Sequence, residues 1–295
     1  MVAVRSAPGR SSGSGRCAVT PIRRNPVRPP SLLGLPYDAS SSFLRGAAGA
    51  PPLIRAALHS PAGNDWTEAL QNLALPGSLD DAGDLVLPDD NAAARALIEA
   101  GVAAVIASGK RPISLGGDHS VTFPILRAIN SMYPRPTILH IDAHSDLYDE
   151  YEGDRHSHAC PFARILELEL AARVVQVGIR TLSAHQREQA DRFGVETIDM
   201  RAFTAGARPV IEGPVYISMD LDGLDPAFAP GVSHWEPGGL SVRDVLTMIQ
   251  ALRSPIVGAD VVEFNPVRDP SGMTAMVAAK IVKEMASAML GPGAL

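Results

Sequence analysis

Thr137 to Asp149 reads TILHIDAHSDLYD, an apolar run that ends among acids and imidazoles. The aliphatic residues up to Ile141 predict a short strand buried on both faces, as in a parallel sheet. Beyond it Asp142, His144 and Asp146 alternate with Ala143 and Ser145, and Asp149 follows. Side chains two apart on extended backbone share a face, so these three polar groups point the same way. Carboxylates crowded at the end of a buried strand are costly to desolvate and repel one another. Bound cations would offset that cost.

Six further runs read as strands: SLLGLP from Ser31, PISLGG from Pro112, RVVQVG from Arg173, VETID from Val195, VYISMD from Val215 and IVGADVVEF from Ile256. Helical patterns start at Asn91, Ser120, His158, Ser241 and Gly272. Alternation of this kind predicts an α/β domain around a mainly parallel sheet. There is no internal repeat and no interior linker, so residues 31–295 are expected to form one domain.

Four strands end in polar clusters: GGDH after Leu115, DAHSD after Ile141, DLDGLDP after Met219, and Glu263 after Val262. Ligands of open parallel sheets bind beyond the carboxyl ends of the strands, so the four clusters can share one rim. His119, Asp142, His144, Asp146, Asp220 and Asp222 then supply six side chains with no thiolate, a set for hard or borderline divalent metals. Four aspartates against two histidines can bridge two ions about 3.5–4 Å apart, which activates water near neutral pH. Taken singly the motifs are weaker, since Asp118 could cap the next helix and DLDGLDP could be a loop of turn-forming acids.

The bulk composition agrees with an ordinary globular protein and excludes several classes. Of 295 residues, 46% are hydrophobic and 20% charged, ample for one large core. A formal charge of −6 gives no support to a nucleic-acid or anionic-membrane partner. Cys17 and Cys160 form no CxxC pair, and a reducing cytoplasm is the expected compartment. Residues 1–30 carry six arginines and no acid, with many Ser, Gly and Pro, and read as a disordered leader. The same traits mark transit peptides, which leaves organellar import open.

GGDH, DAHSD and SMDLDGLDPAFAPG together resemble the signatures of the ureohydrolase superfamily, which contains arginases and agmatinases. YEGDRHSHACPFARIL, DPAFAPGVSHWEPGGLS and VGADVVEFNPVRDPSGMTAMVAAK are most similar to plant-type arginases, and the likeness runs from about Ser31 to the C-terminal helix. The resemblance implies a three-layer α/β/α fold, two Mn2+ ions per subunit and hydrolysis of a guanidino group to urea and an amine. It also implies a homotrimer or homohexamer. Carried over by position, one ion is held by His119, Asp142, Asp146 and Asp220, and the other by Asp142, His144, Asp220 and Asp222. Asp146 is then also the proton acceptor, Glu263 pairs with the guanidinium, and His158 matches a proton-shuttling histidine. His156 competes with it two residues upstream. His140, inside its strand, is expected to be a hydrogen-bonded support, and His234 to lie near the pocket mouth.

The substrate tail is less well specified. Tyr148 stands where animal-type arginases carry an asparagine, and DEYEGDR is mostly acidic. If that loop lines the pocket, Asp149 would attract an amino group and favour agmatine over arginine; the overall likeness favours arginine. Nickel or zinc could replace manganese, because the affinity order favours both. A one-zinc deacetylase-like hydrolase is disfavoured by His119, and a non-catalytic relative by the complete ligand set.

Overall fold

Strands β3 (Arg111–Leu115), β4 (Thr137–Ile141), β7 (Val215–Asp220) and β8 (Ile256–Val262) are buried along their whole length. They form the middle of an eight-stranded sheet completed by β1 (Pro30–Gly34), β2 (Asp80–Asp84), β5 (Arg173–Ile179) and β6 (Glu196–Asp199). The order is β2-β1-β3-β8-β7-β4-β5-β6, and every neighbouring pair is parallel. The computed structural model describes residues 28–88 and 90–291; of the expected leader, residues 1–27 lie outside the described residues.

Among the described residues eight α-helices cover the sheet: α1 (Ala50–Leu58), α2 (Asn91–Ala107), α3 (Thr122–Met132), α4 (Pro161–Glu167), α5 (Ala184–Phe193), α6 (Met200–Thr204), α7 (Val242–Ala251) and α8 (Met273–Leu290). Leu139, Ile141, Ile217 and Met219 point to the face packed by α1, α7 and α8. Ile138, Tyr216 and Val262 point to the other face, under α2, α3 and α4. The period of two along each strand thus divides the apolar residues between two cores, giving the expected three-layer α/β/α architecture.

All seven expected strands form, within a residue or two of their sequence bounds. The eighth, β2, was not expected. Its sequence DDAGD has no large apolar residue, and it exists as an exposed edge paired to β1, with Arg55 bridging Asp81 and Asp84. Charge of this kind protects a sheet edge from further pairing. Helices α1, α5 and α6 were also unexpected. In α5, AHQREQADRF buries only Gln186, Gln189 and Ala190, so its stripe is nearly invisible. Its capping box of Ser183 and Gln186 was the available signal.

Candidate active site

The polar clusters meet because β3, β8, β7 and β4 are consecutive in the sheet, so their carboxyl ends lie side by side. On the β3 side, Asp118 caps a short 3-10 turn at His119–Val121, which turns the His119 ring inward. Asp220 caps the turn Leu221–Gly223 by accepting from the Asp222 amide, which directs Asp222 back to the same rim.

His119 Nδ1 lies 3.1 Å from Asp142 Oδ2, 3.0 Å from Asp146 Oδ2 and 3.1 Å from Asp220 Oδ2. The ring is fully buried, yet Nδ1 has no hydrogen-bond partner. An orphaned buried nitrogen facing three carboxylate oxygens suits a cation among them, since all four atoms are lone-pair donors converging on one region. Beside this group His144 Nδ1 lies 3.2 Å from Asp222 Oδ2 and 3.5 Å from Asp142 Oδ1. Asp142 therefore belongs to both groups. The donor set fits metal binding, with all six expected side chains brought together.

The electrostatics are those of four acids against two imidazoles. Burial pushes the His119 imidazole down, but Asp142, Asp146 and Asp220 outweigh it and raise it well above its ordinary value. Burial and the charges of Asp222 and Asp142 push Asp220 well up. Burial opposes ionisation of Asp142 too, but His140, His119 and His144 hold it well below the usual carboxylate range.

His140 comes close enough to His119 and Asp142 to look like a ligand. Both its nitrogens are engaged, however. Gln176 Nε2 donates to Nδ1 at 3.1 Å, which leaves Nε2–H to donate to Asp142 Oδ2 at 2.7 Å. His140 thus orients a carboxylate, as expected of a support residue. On the other side His119 Nε2 meets Ser218 Oγ at 3.0 Å, and Ser218 donates to Asp260 at 2.9 Å. Gln176, Ser218 and Asp260 belong to no motif; each is a polar residue flanked by buried apolar neighbours within its strand, and that was the available signal.

Above this cluster sits a second one. His158 Nδ1 lies 3.0 Å from Glu263 Oε1, and its Nε2 lies 2.8 Å from Ser42 Oγ. Glu263 Oε1 also accepts from the His119 amide at 2.9 Å. Burial lowers the His158 imidazole, but Glu263 more than compensates and raises it to about 9. Glu263, though buried, is held low by the same pair. His234, half-buried, stacks obliquely beside His158 with ring centroids 5.3 Å apart. Asp146 and Glu263 both have left-handed backbones, with φ of +49° and +63°. Such angles are uncommon for non-glycine residues, and Leu44, Leu70, Arg135, Glu152 and Glu169 also hold them, outside the cluster.

Two expectations change, and the two loop imidazoles separate. His158 does not open a helix: α4 starts at Pro161, after Cys160 at the N-cap. Proline favours the first helical position and disfavours helix in the residue before it, so His158 stays in a turn. His156 turns away, half-buried beside the Phe123 ring at 5.6 Å. Asp149 does not face the cluster as a free acid. It is half-buried and ion-paired with Arg155 at 2.9 Å and Arg164 at 3.0 Å. Ser42 was missed, because 116 residues separate it from His158 and no local pattern marks it.

The arginase-family profile matches residues 29–287. "Arginase 1, mitochondrial" of Arabidopsis thaliana is 48% identical over 274 residues, covering 87% of this chain and 80% of that protein. An agmatinase of Bacillus anthracis is 36% identical over 86% of this chain and 89% of its own length. The solved arginase of Medicago truncatula superposes with a TM-score of 0.86 at 45% identity, covering 89% of this chain and 88% of that one. Matches of this length embrace every strand whose end carries an acid or imidazole of the cluster, and the chain belongs to the arginase family.

Proposed function

We propose that the protein hydrolyses the guanidino group of L-arginine to urea and L-ornithine, using two manganese ions. The carrying observation is the convergence of three carboxylates on the unpartnered His119 Nδ1, next to a buried Glu263–His158 pair. His119, Asp142, Asp146 and Asp220 would hold one ion, and Asp142, His144, Asp220 and Asp222 the other. Bound there, the ions supply an activated water and Lewis acidity toward the guanidino carbon.

The chain's own residues do the rest. Glu263 is a buried carboxylate held in its charged form, suited to a planar guanidinium by charge-assisted hydrogen bonds. Asp146 accepts the proton that the nucleophile loses. The leaving amine is a strong base and needs a proton to depart. His158, raised to about 9 by Glu263, carries one at neutral pH. The exposed Ser42 on its other nitrogen offers a route for reprotonation from solvent.

Arginine is preferred over agmatine because Asp149 is already neutralised by Arg155 and Arg164. An acid so paired has little attraction left for a substrate amine. Urea release from the manganese-loaded protein tests the reading. Arginine should be cleaved faster than agmatine, guanidinobutyrate and guanidine; faster cleavage of agmatine overturns the substrate assignment, and no urea from any of them overturns the reaction. The chain is read as a homotrimer or homohexamer of the cytoplasm, with import through the Arg-rich leader as the alternative. Among the described residues no helix is long and apolar enough to cross a membrane.

A further inference from the structure

Arg180 directly follows β5, the strand beside β4, and belongs to no ligand set. Its amide donates to Ala143 O at 2.9 Å, and Ala143 lies between Asp142 and His144. Its guanidinium reaches the turn after β7. Nη2 donates to Asp222 O at 2.7 Å and Leu224 O at 3.2 Å, and Nη1 to Gly223 O at 3.1 Å. Nη1 also donates to Gly178 O at 3.1 Å, and Nε to Glu236 O at 2.8 Å. Five main-chain carbonyls and no carboxylate thus satisfy one half-buried cation. Gly239 makes room for it, since a Cβ there would lie 2.7 Å from Nη2.

We propose that Arg180 is a positioning residue that locks the loops after β4 and β7 together, setting His144 and Asp222 at the distance one shared ion requires. The proposal rests on the two-ion reading above. A buried guanidinium has a fixed fork of five N–H donors, which matches several carbonyls at once; a lysine has three and no fork. Below the loops, β4 and β7 are paired up to Ile141 with Met219, and Gly223 packs on the Asp142 backbone; past that point little else holds their relative register. His144 contributes its amide to Asp142 within its own loop, and the Asp222 amide is bound by Asp220 within its own turn. Direct links between the two loops are few: Ala143 N to Asp222 Oδ1 at 3.3 Å, and the close pair His144–Asp222. Ligands of the other ion sit differently. His119, which serves that ion alone, is fixed by Ser218, and the shared Asp220 ends a fully buried strand paired on both sides.

Arg111 supplies an internal control. It is also wired to buried carbonyls, namely Arg28 O, Ile256 O and Met289 O at 2.8, 2.9 and 2.5 Å. It stands at the amino ends of the strands, away from the cluster. The test titrates manganese into chelator-treated full-length protein and counts bound ions, without reference to turnover. Wild type should bind two ions per chain. Arg180→Met should keep one near wild-type affinity and bind the other about 10–100-fold more weakly, the usual effect of losing a group that orients a ligand. Arg180→Lys should fall between them, and it carries the test if Arg180→Met does not fold. Arg111→Met should melt lower yet bind both ions as wild type does. A wild-type protein with one ion overturns the two-ion reading itself. Two ions in wild type with undiminished binding in Arg180→Lys and Arg180→Met, or equal weakening in Arg111→Met, overturns the role of Arg180 alone.

Discussion

His158 shows how one residue's surroundings decide between two otherwise equal imidazoles. In sequence, His156 and His158 differ by two positions and share the same loop. The fold gives His158 a buried carboxylate on one nitrogen and a hydroxyl on the other, whereas burial lowers His156 below its ordinary value. His158→Asn should therefore lose roughly 10²–10⁴-fold in turnover, the size of general-acid help, while both metals and substrate affinity remain. Exogenous imidazole should restore part of the rate, and His156→Asn should stay near wild type. Steady-state kinetics with metal analysis decides; a fully active His158→Asn would remove the residue from the chemistry. The same pair makes a thermodynamic prediction for the metal-free protein. His158 has a folded pKa of about 9 against an ordinary value near 6.5. Its contribution is complete below pH 6.5 and is lost as pH rises through 9. The melting-temperature gap between wild type and His158→Asn should be wider at pH 6 than at pH 9.5. An equal gap at both pH values would contradict it.

At the scale of elements, the sequence displays what is buried and hides what is merely paired. The long apolar strands are legible because parallel strands covered on both faces read as continuous hydrophobic runs. The side chains proposed as metal ligands are legible for the same reason, standing out at the ends of those runs. Less visible is a row of polar residues one pleat further in. In register across the sheet, Gln176 of β5 stands beside His140 of β4, then Ser218 of β7, Asp260 of β8 and Ser114 of β3. All five are fully buried. His140 and Ser218 each lie two residues before a proposed ligand, Asp142 and Asp220, on the same face of the chain and so beneath it. Asp260 accepts from Ser218, Tyr216 and Thr122, three hydroxyls that satisfy its carboxylate without a counter-cation. Register is a property of strand order, and no local window of sequence contains it. That is why DAHSD declared itself and Gln176 did not. Edge elements fail for the opposite reason. β2 and α5 bury so little that pairing and capping, rather than periodicity, hold them in place.

For the whole molecule, the two ends of the sheet carry different loads. The proposed ligands gather at the carboxyl ends, where loops can vary in aim while the ladder below stays regular. The amino ends of the middle strands are tied by Arg111, whose guanidinium joins β8, α8 and the segment just before β1. That wiring fixes how far the Arg-rich leader can be trimmed. Pairing of β1 with β3 begins at Pro30 with Arg111, and Arg111 also donates its amide to Pro29 O at 2.9 Å and its Nε to Arg28 O. Among the described residues these contacts begin at Arg28, three before Ser31. Deleting residues 1–27, a stretch without apolar periodicity, should leave turnover and melting temperature unchanged. Extending the deletion through Pro30 removes two acceptors from a buried arginine, at roughly 1 kcal/mol for each lost hydrogen bond. In a domain of this size that lowers the melting temperature by a few degrees. Thermal melts of the two truncations beside the full chain measure it. A drop with the shorter deletion would mean that the leader packs on the domain or joins subunits, and identical melts for both would release Arg28 and Pro29 from the role given them here.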